Sequence, residues 1–386
     1  MASEARMSEQ LAVIWTHFGP YHMARIQAMK PFFDVKAIEL ASDQRLYRWW
    51  RGEPDDVVHT LTSGDWEDQN RLLVALKLWR RLNLLRPRVI LVPGYASLPA
   101  LCAAVWGRTH AAKTILMSDS NVDDRPRQFL AEGLKRILVT LLYSGGIVAG
   151  KRSASYLQRL GMPAHRIARA YDVVDNDYFS SRAAQFRREA NDSGKGIPSP
   201  YFLFVGRLAP EKNVSTLLQA FAEYRESGGT WPLVIVGDGP LRSALHEQAR
   251  ALLQSGAVVF TGLKNVHELP QFYAFAGCFV LPSLSEPWGL VVNEAMASGL
   301  PVIVSSRCGC VDDLVDDGSN GFIVDSESAS SIAAALARMS KLSLEERAKL
   351  AERSQAIIED YSPERWASEV RRIVSAVRKD NPVNES

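Results

Sequence analysis

Short, wholly apolar runs recur along the chain, each followed by a stretch whose apolar positions fall at helical spacing. LAVIW (11–15), VILVPG (89–94) and TILMS (114–118) are continuously apolar at their centres rather than alternating, the pattern of parallel strands covered on both faces. Leu72, Leu73, Leu76, Trp79 and Leu82 recur at the period of a helix and predict an amphipathic helix over 70–84. After residue 200 the alternation restarts with YFLFVGR, LVIVGDGP, VVFTG, CFVLPS and PVIVSS. Strand–helix alternation of this kind predicts an α/β protein with two doubly wound, Rossmann-like sheets, and a cleft between the two units is the expected ligand site.

The polar segment RREANDSGKGIPSP marks a composition break and predicts a linker. The expected organisation is a first Rossmann-like domain over 10–186, a linker at 187–199, a second Rossmann-like domain over 200–361, and a terminal helix over 362–380. That helix opens with Ser362 as N-cap and Pro363 at its first position, and carries an apolar stripe through Trp366, Val370 and Ile373.

Composition agrees with two packed cores: 386 residues, 47% hydrophobic and 23% charged, without a long biased run. The polar start through Gln10 is followed by an apolar run that His17, Gly19 and Pro20 interrupt, so neither a signal peptide nor a membrane span is expected. Cys102, Cys278, Cys308 and Cys310 lack metal-ligand spacing and read as reduced thiols in a cytoplasm, with no metal site. The net charge of +2 conceals an asymmetry: 27 Lys and Arg against 19 Asp and Glu through Asn191, and 18 against 24 after it. A basic first half can attract an anionic partner. Basic-aromatic clusters at LYRWWRG (46–52), KLWRRLNLLRPR (77–88) and GLKRILVTLLYSGG (133–146) admit two readings. One is core-facing helices with solvated cations; the other is a peripheral seat on the cytoplasmic face of an anionic membrane. No nucleic-acid module is present, and no nucleic-acid partner is expected.

Chemistry concentrates in FVLPSLSEPWGLVVNEAMASGLPVIVS. A buried strand ends near Pro282, a loop carries Glu286, and a helix begins near Gly289. Ligands of open α/β sheets bind at such strand ends. The backbone N–H groups of Gly289, Leu290 and Val291, at the positive end of the helix dipole, form a ready anion site for a diphosphate. Glu294, about a turn further on, is placed to accept from ribose hydroxyls, and Glu286 to reach sugar hydroxyls. In FLFVGRLAPEKNVSTLLQAF a strand turns at Gly206 and presents Arg207 and Lys212, a planar fork and a mobile point charge for phosphate oxygens. VGDGP has two glycines of a dinucleotide fingerprint without the third, and no phosphate-binding P-loop occurs.

The order and spacing of GRLAPEK, VGDGP, the Glu286–Glu294 element and GSNGFIVD resemble the family-four retaining glycosyltransferases (glycosyl transferases group 1) of GT-B fold, over roughly residues 200–380. The resemblance implies that Arg207 and Lys212 hold the donor diphosphate, Glu294 binds ribose and Glu286 contacts the transferred sugar. It also implies a nucleobase against the backbone at Gly262 and Leu263, and a terminal helix crossing back to the N-terminal domain. Three positions depart from the family pattern. Trp288 replaces a common Phe, Asp313 a common Glu, and Ser118-Asp119-Ser120, leading into NVDDRPR, a His-Asp pair. Asp119 is thereby a candidate polar contact to acceptor or sugar, beside Gly19, His17 and His22 in the first domain.

The expected activity is transfer of a sugar from a nucleotide-diphosphate sugar to a glycan, lipid-linked or small-molecule acceptor, with retention, no resident cofactor and no required metal. A phosphorylase, a sugar-nucleotide epimerase and a non-catalytic nucleotide-sugar-binding protein are the alternatives.

Overall fold

The computed structural model describes residues 9–45, 57–123, 129–192 and 200–379. The predicted cluster at 46–52, the end of NVDDRPR at 124–127, and positions 193–199 of the predicted linker lie outside these. The chain forms two compact units, one of residues 1–173 with 363–386, the other of residues 174–362.

The first unit holds a parallel sheet of seven strands: β1 (Glu9–Trp15), β2 (Phe33–Glu39), β3 (Val58–Thr60), β4 (Val89–Pro93), β5 (Lys113–Ser118), β6 (Gly145–Val148) and β7 (Ile167–Ala168), in the order β3-β2-β1-β4-β5-β6-β7. Leu11 to Ile14 and Val89 to Val92 are fully buried, as strands covered on both faces require. Helices Arg71–Leu85, Leu98–Thr109 and Phe129–Leu142 contribute Leu78, Ala103 and Val139 to one core against the sheet. Helix Pro363–Lys379 packs on helix Pro20–Met29 and on β6, burying Trp366, Val370 and Ile373.

The second unit is a six-stranded parallel sheet: β8 (Phe202–Val205), β9 (Leu233–Val236), β10 (Val258–Gly262), β11 (Cys278–Leu281), β12 (Val302–Ser305) and β13 (Gly321–Val324), ordered β10-β9-β8-β11-β12-β13. Chain order reverses between the neighbours β8 and β11, which makes their C-terminal ends the switch point of the fold. Both units are thus Rossmann-like and doubly wound.

Two expectations change. The chain leaves the first unit between Val173 and Val174, not in the predicted 187–199 segment. Helix Asn176–Asp192 belongs to the second unit. Arg187 donates to the carbonyls of Ala274 and Ser298, both at 2.8 Å, Asn176 donates to Ile358 O at 2.9 Å, and Phe179 is fully buried against Tyr273. Helix Arg71–Leu85 forms where expected, with Asn70 capping Leu72 and Leu73, but its buried face is Val74, Ala75, Leu78 and Leu82. Of the five periodic residues only Leu82 is buried; Leu72, Leu73 and Leu76 are exposed.

Candidate active site

Two loops meet at the switch point of the second unit. The loop after β8 passes through Arg207 into a short turn, Pro210–Lys212, and reaches Asn213 in the left-handed region at φ 57°. The buried Asn213 amide donates to Pro282 O (3.2 Å) and Ser326 O (2.7 Å), while its Oδ1 accepts from Thr216 Oγ1 (2.7 Å). Leu284 N–H donates to Glu211 O at 2.9 Å, so the loops after β8 and β11 are joined along the backbone as well.

The loop after β11 is held from a third side. Gly309 N–H donates to Glu286 O (2.8 Å), Cys310 N–H to Trp288 O (3.3 Å), and the buried Trp288 indole N–H to Asn293 Oδ1 (3.0 Å). Trp288, one of the departures from the family pattern, therefore fastens the loop to the helix that follows. Gly289 caps that helix, Leu290–Ala297, at φ +109°, and a Cβ there would sit 3.2 Å from the Leu281 side chain. Only glycine fits without strain. Val292 N–H turns back to Gly289 O (2.8 Å), whereas among the described residues the N–H groups of Gly289, Leu290 and Val291 find no protein acceptor.

Beside this helix start Lys212 Nζ and the Glu286 carboxylate form an ion pair, with side-chain exposures of 18% and 12%. Ser283 Oγ donates to the same carboxylate oxygen at 3.4 Å. Arg207 is exposed at the mouth of the β8 loop and has no salt-bridge partner among the described residues. A mobile cation, an unpaired guanidinium and open helix amides together suit a multiply charged anion. Glu294 is different: it is 2% exposed and accepts from the buried Tyr273 hydroxyl at 2.8 Å.

The remaining donor candidates sit along the same sheet edge. Gly206 N–H donates to Val236 O (3.0 Å), Leu208 N–H to Asp238 O (2.9 Å) and Gly237 N–H to Gly262 O (2.9 Å), lacing the ends of β8, β9 and β10. A Cβ on Gly237 would lie 1.9 Å from Gly206 O, and one on Gly239 2.5 Å from Leu208 O. The two glycines of VGDGP therefore serve this close backbone approach. Leu263 stands 73% exposed just past Gly262, two strands from β8.

In the first unit, Gly19 and His22 come together: Gly19 N–H donates to His22 Nδ1 at 3.0 Å, closing the start of helix Pro20–Met29. Burial, then the charges of Arg25 and His17, hold the His22 pKa well below its ordinary value. His17 Nδ1 lies 3.1 Å from Glu39 Oε1, both buried, and Phe18 N–H and Thr60 Oγ1 donate to the same carboxylate (2.9 and 2.6 Å). Asp119 is exposed at the end of β5, its carbonyl accepting from Ser153 Oγ at 2.8 Å. These residues have structural partners within their own unit. Sequence reasoning missed Asn213, Ser283 and Tyr273; an Asn directly before a helix is a recognisable cap signal, but its partners lie far along the chain.

Among the described residues no cluster of three metal-ligating side chains occurs, and no helix is long and apolar enough to cross a membrane. The model of the family described as glycosyl transferases group 1 matches residues 185–373. The chain is 27% identical over 217 residues to the alpha-D-kanosaminyltransferase of Streptomyces kanamyceticus, a match covering 56% of this chain and 55% of that protein. It is 32% identical over 277 residues to a GDP-mannose-dependent alpha-mannosyltransferase of Mycobacterium tuberculosis, covering 69% and 59%. These matches span only about half the length of the two relatives. The crystal structure of Anabaena HepE in complex with UDP and glucose resembles the chain with a TM-score of 0.73 at 17% identity, over 95% of this chain and 100% of that one. A UDP-forming alpha,alpha-trehalose-phosphate synthase from Burkholderia vietnamiensis gives 0.74 at 16%, over 98% and 99%. Strand order and family match agree: residues 185–373 belong to the glycosyl transferases group 1 family, in a chain of GT-B fold.

Proposed function

We propose that this protein transfers a sugar from a nucleotide-diphosphate sugar to an acceptor with retention of anomeric configuration. The observation that carries the reading is the Lys212–Glu286 ion pair beside the open amides of the Leu290–Ala297 helix start. An arriving diphosphate takes Lys212, Arg207 and the amides of Gly289, Leu290 and Val291 as partners, and releases the Glu286 carboxylate to accept from hydroxyls of the transferred sugar. The bond between the anomeric carbon and the phosphate oxygen breaks, and the acceptor oxygen bonds to that carbon on the same face. The acceptor's proton passes to the departing phosphate oxygen, so no protein nucleophile is needed. With two cations and a helix dipole on the leaving group, the reaction requires no resident metal. Glu294 serves the ribose edge, and Gly262 and Leu263 the nucleobase.

The named relatives and neighbours include a GDP-mannose-dependent transferase, a UDP-forming synthase and a protein in complex with UDP, so a panel of uridine-, guanosine- and adenosine-diphosphate sugars is the test. One donor class is expected to bind and turn over in an acceptor-dependent reaction giving the retained anomer. Arg207→Ala is expected to weaken binding, and Glu286→Ala to abolish turnover. Conversion of donor with acceptor omitted, to an epimer or a sugar phosphate, would overturn the reading in favour of an epimerase or phosphorylase. Binding without transfer to glycan, lipid-linked or small acceptors would favour a binding protein. The four free cysteines, three of them buried, fit a reducing compartment, and we place the reaction in the cytoplasm.

A further inference from the structure

The outer face of the first unit carries an uncovered apolar surface. In helix Phe129–Leu142 the row Leu130, Leu134, Ile137 and Leu141 is 86%, 58%, 54% and 63% exposed. These positions recur at i, i+4, i+7 and i+11, one face of the helix, while Val139 on the other face is fully buried. Leu72, Leu73 and Leu76 of helix Arg71–Leu85 are half or more exposed, and Val105 of helix Leu98–Thr109 is exposed too. The three helices are neighbours in one layer: the first packs on the middle one, and the middle one on the last. Scattered surface leucines are ordinary, but helical rows of them on adjacent elements mark an interaction surface.

The charge on this layer is one-sided. Helix Arg71–Leu85 has four cations and no acid, helix Leu98–Thr109 has Arg108 alone, and helix Phe129–Leu142 has Lys135 and Arg136 against Glu132. Glu132 is already paired with Lys135 and accepts from the Tyr156 hydroxyl. Arg80, Arg108 and Arg136 are exposed without a carboxylate partner among the described residues. A cavity of about 230 Å³ opens beside Leu73 and Leu76, with Lys77 and Arg80 at its edge.

We propose that this three-helix face docks on an anionic bilayer, the aliphatic rows entering the boundary between headgroups and acyl chains and the arginines meeting lipid phosphates. Apolar rows with flanking cations and almost no acids are the composition of interfacial helices. A second copy of the chain is a poor occupant, because it would set unpaired arginines against the same unpaired arginines. The inference concerns the first unit alone and does not depend on donor chemistry, so it can fail while the proposed transfer stands, and the reverse.

Sedimentation of the full chain with vesicles of phosphatidylcholine, alone or mixed with phosphatidylglycerol, tests it. Binding is expected with the mixed vesicles and is expected to fall as salt rises from about 0.1 to about 0.5 M. The double variant Leu134→Gln/Ile137→Gln is expected to lose about tenfold or more in vesicle affinity. Arg80→Gln/Arg136→Gln is expected to lose the preference for phosphatidylglycerol, both with an unchanged thermal midpoint. Leu344→Gln, more exposed at 78% but in the second unit, is expected to bind like the parent. No vesicle binding by the parent, or equal binding by parent and face variants, would overturn the proposal. So would a stable dimer that the Leu134→Gln/Ile137→Gln change dissociates, which would assign the face to self-association.

Discussion

Lys212 and Glu286 stand 74 positions apart and meet as an ion pair because β8 and β11 are sheet neighbours. Their residue types and local motifs were readable in the sequence, as was the helix start near Gly289. Their pairing was not, since it depends on strand order. Glu294 shows the same limit: its position in the helix was legible, but its acceptance from Tyr273, 21 residues away, was not. That bond separates two roles by substitution. Glu294→Ala removes the acceptor of a buried hydroxyl and is expected to cost about 1–3 kcal/mol in urea unfolding. Glu294→Gln keeps an acceptor for Tyr273 and should stay near parental stability. If the charge serves ribose, Glu294→Gln is expected to raise the nucleoside diphosphate Kd about tenfold in calorimetry, the worth of one charge-assisted bond. Gly237 offers a backbone test. At φ +147°, with Gly206 O where its Cβ would go, Gly237→Ala is expected to cost about 3 kcal/mol or more and to weaken donor binding together with the fold.

At the scale of elements, strand positions were the most legible feature, because an unbroken apolar run has few other fates in a chain of this composition. Helix faces were less so. Periodicity identified helix Arg71–Leu85 but picked its outward leucines, since the helix has apolar residues on both faces and spacing alone does not say which one meets the sheet. The start of helix Pro20–Met29 gives a pH prediction. His22 Nδ1 must be unprotonated to accept from Gly19 N–H, and its folded pKa is depressed below the ordinary 6.5. The unfolded chain therefore binds the proton first, and stability falls as pH drops below about 6.5, by at most about 1.4 kcal/mol per unit. Thermal midpoints between pH 7.5 and 5 should fall less steeply in His22→Asn, whose side-chain oxygen keeps an acceptor without titrating. Equal slopes in the two proteins would show that His22 does not contribute this linkage.

For the whole molecule, the division into two α/β units was legible and its boundaries were not. Composition pointed to 187–199, yet the chain crosses at Val173–Val174, two apolar, buried residues that carry no linker signal. Polar composition marks exposed chain, and exposed chain also occurs inside a unit. A further consequence is that the first unit is completed by residues remote in sequence. Trp366 is fully buried, its ring centre 6.2 Å from that of Trp15 at the end of β1, and Arg372 donates to Ile167 O of β7 at 2.9 Å. Losing a buried tryptophan alone costs about 3–5 kcal/mol, comparable with the total stability of many domains. Residues 9–173 expressed alone are therefore expected to lack a cooperative thermal transition. The same segment joined through a short Gly-Ser linker to residues 363–379 is expected to recover one, and Trp366→Ala in that joined chain to lose it again. A cooperative transition in 9–173 alone would mean that the terminal helix decorates a finished core; its restoration by the helix would mean that the core is built from both ends of the chain.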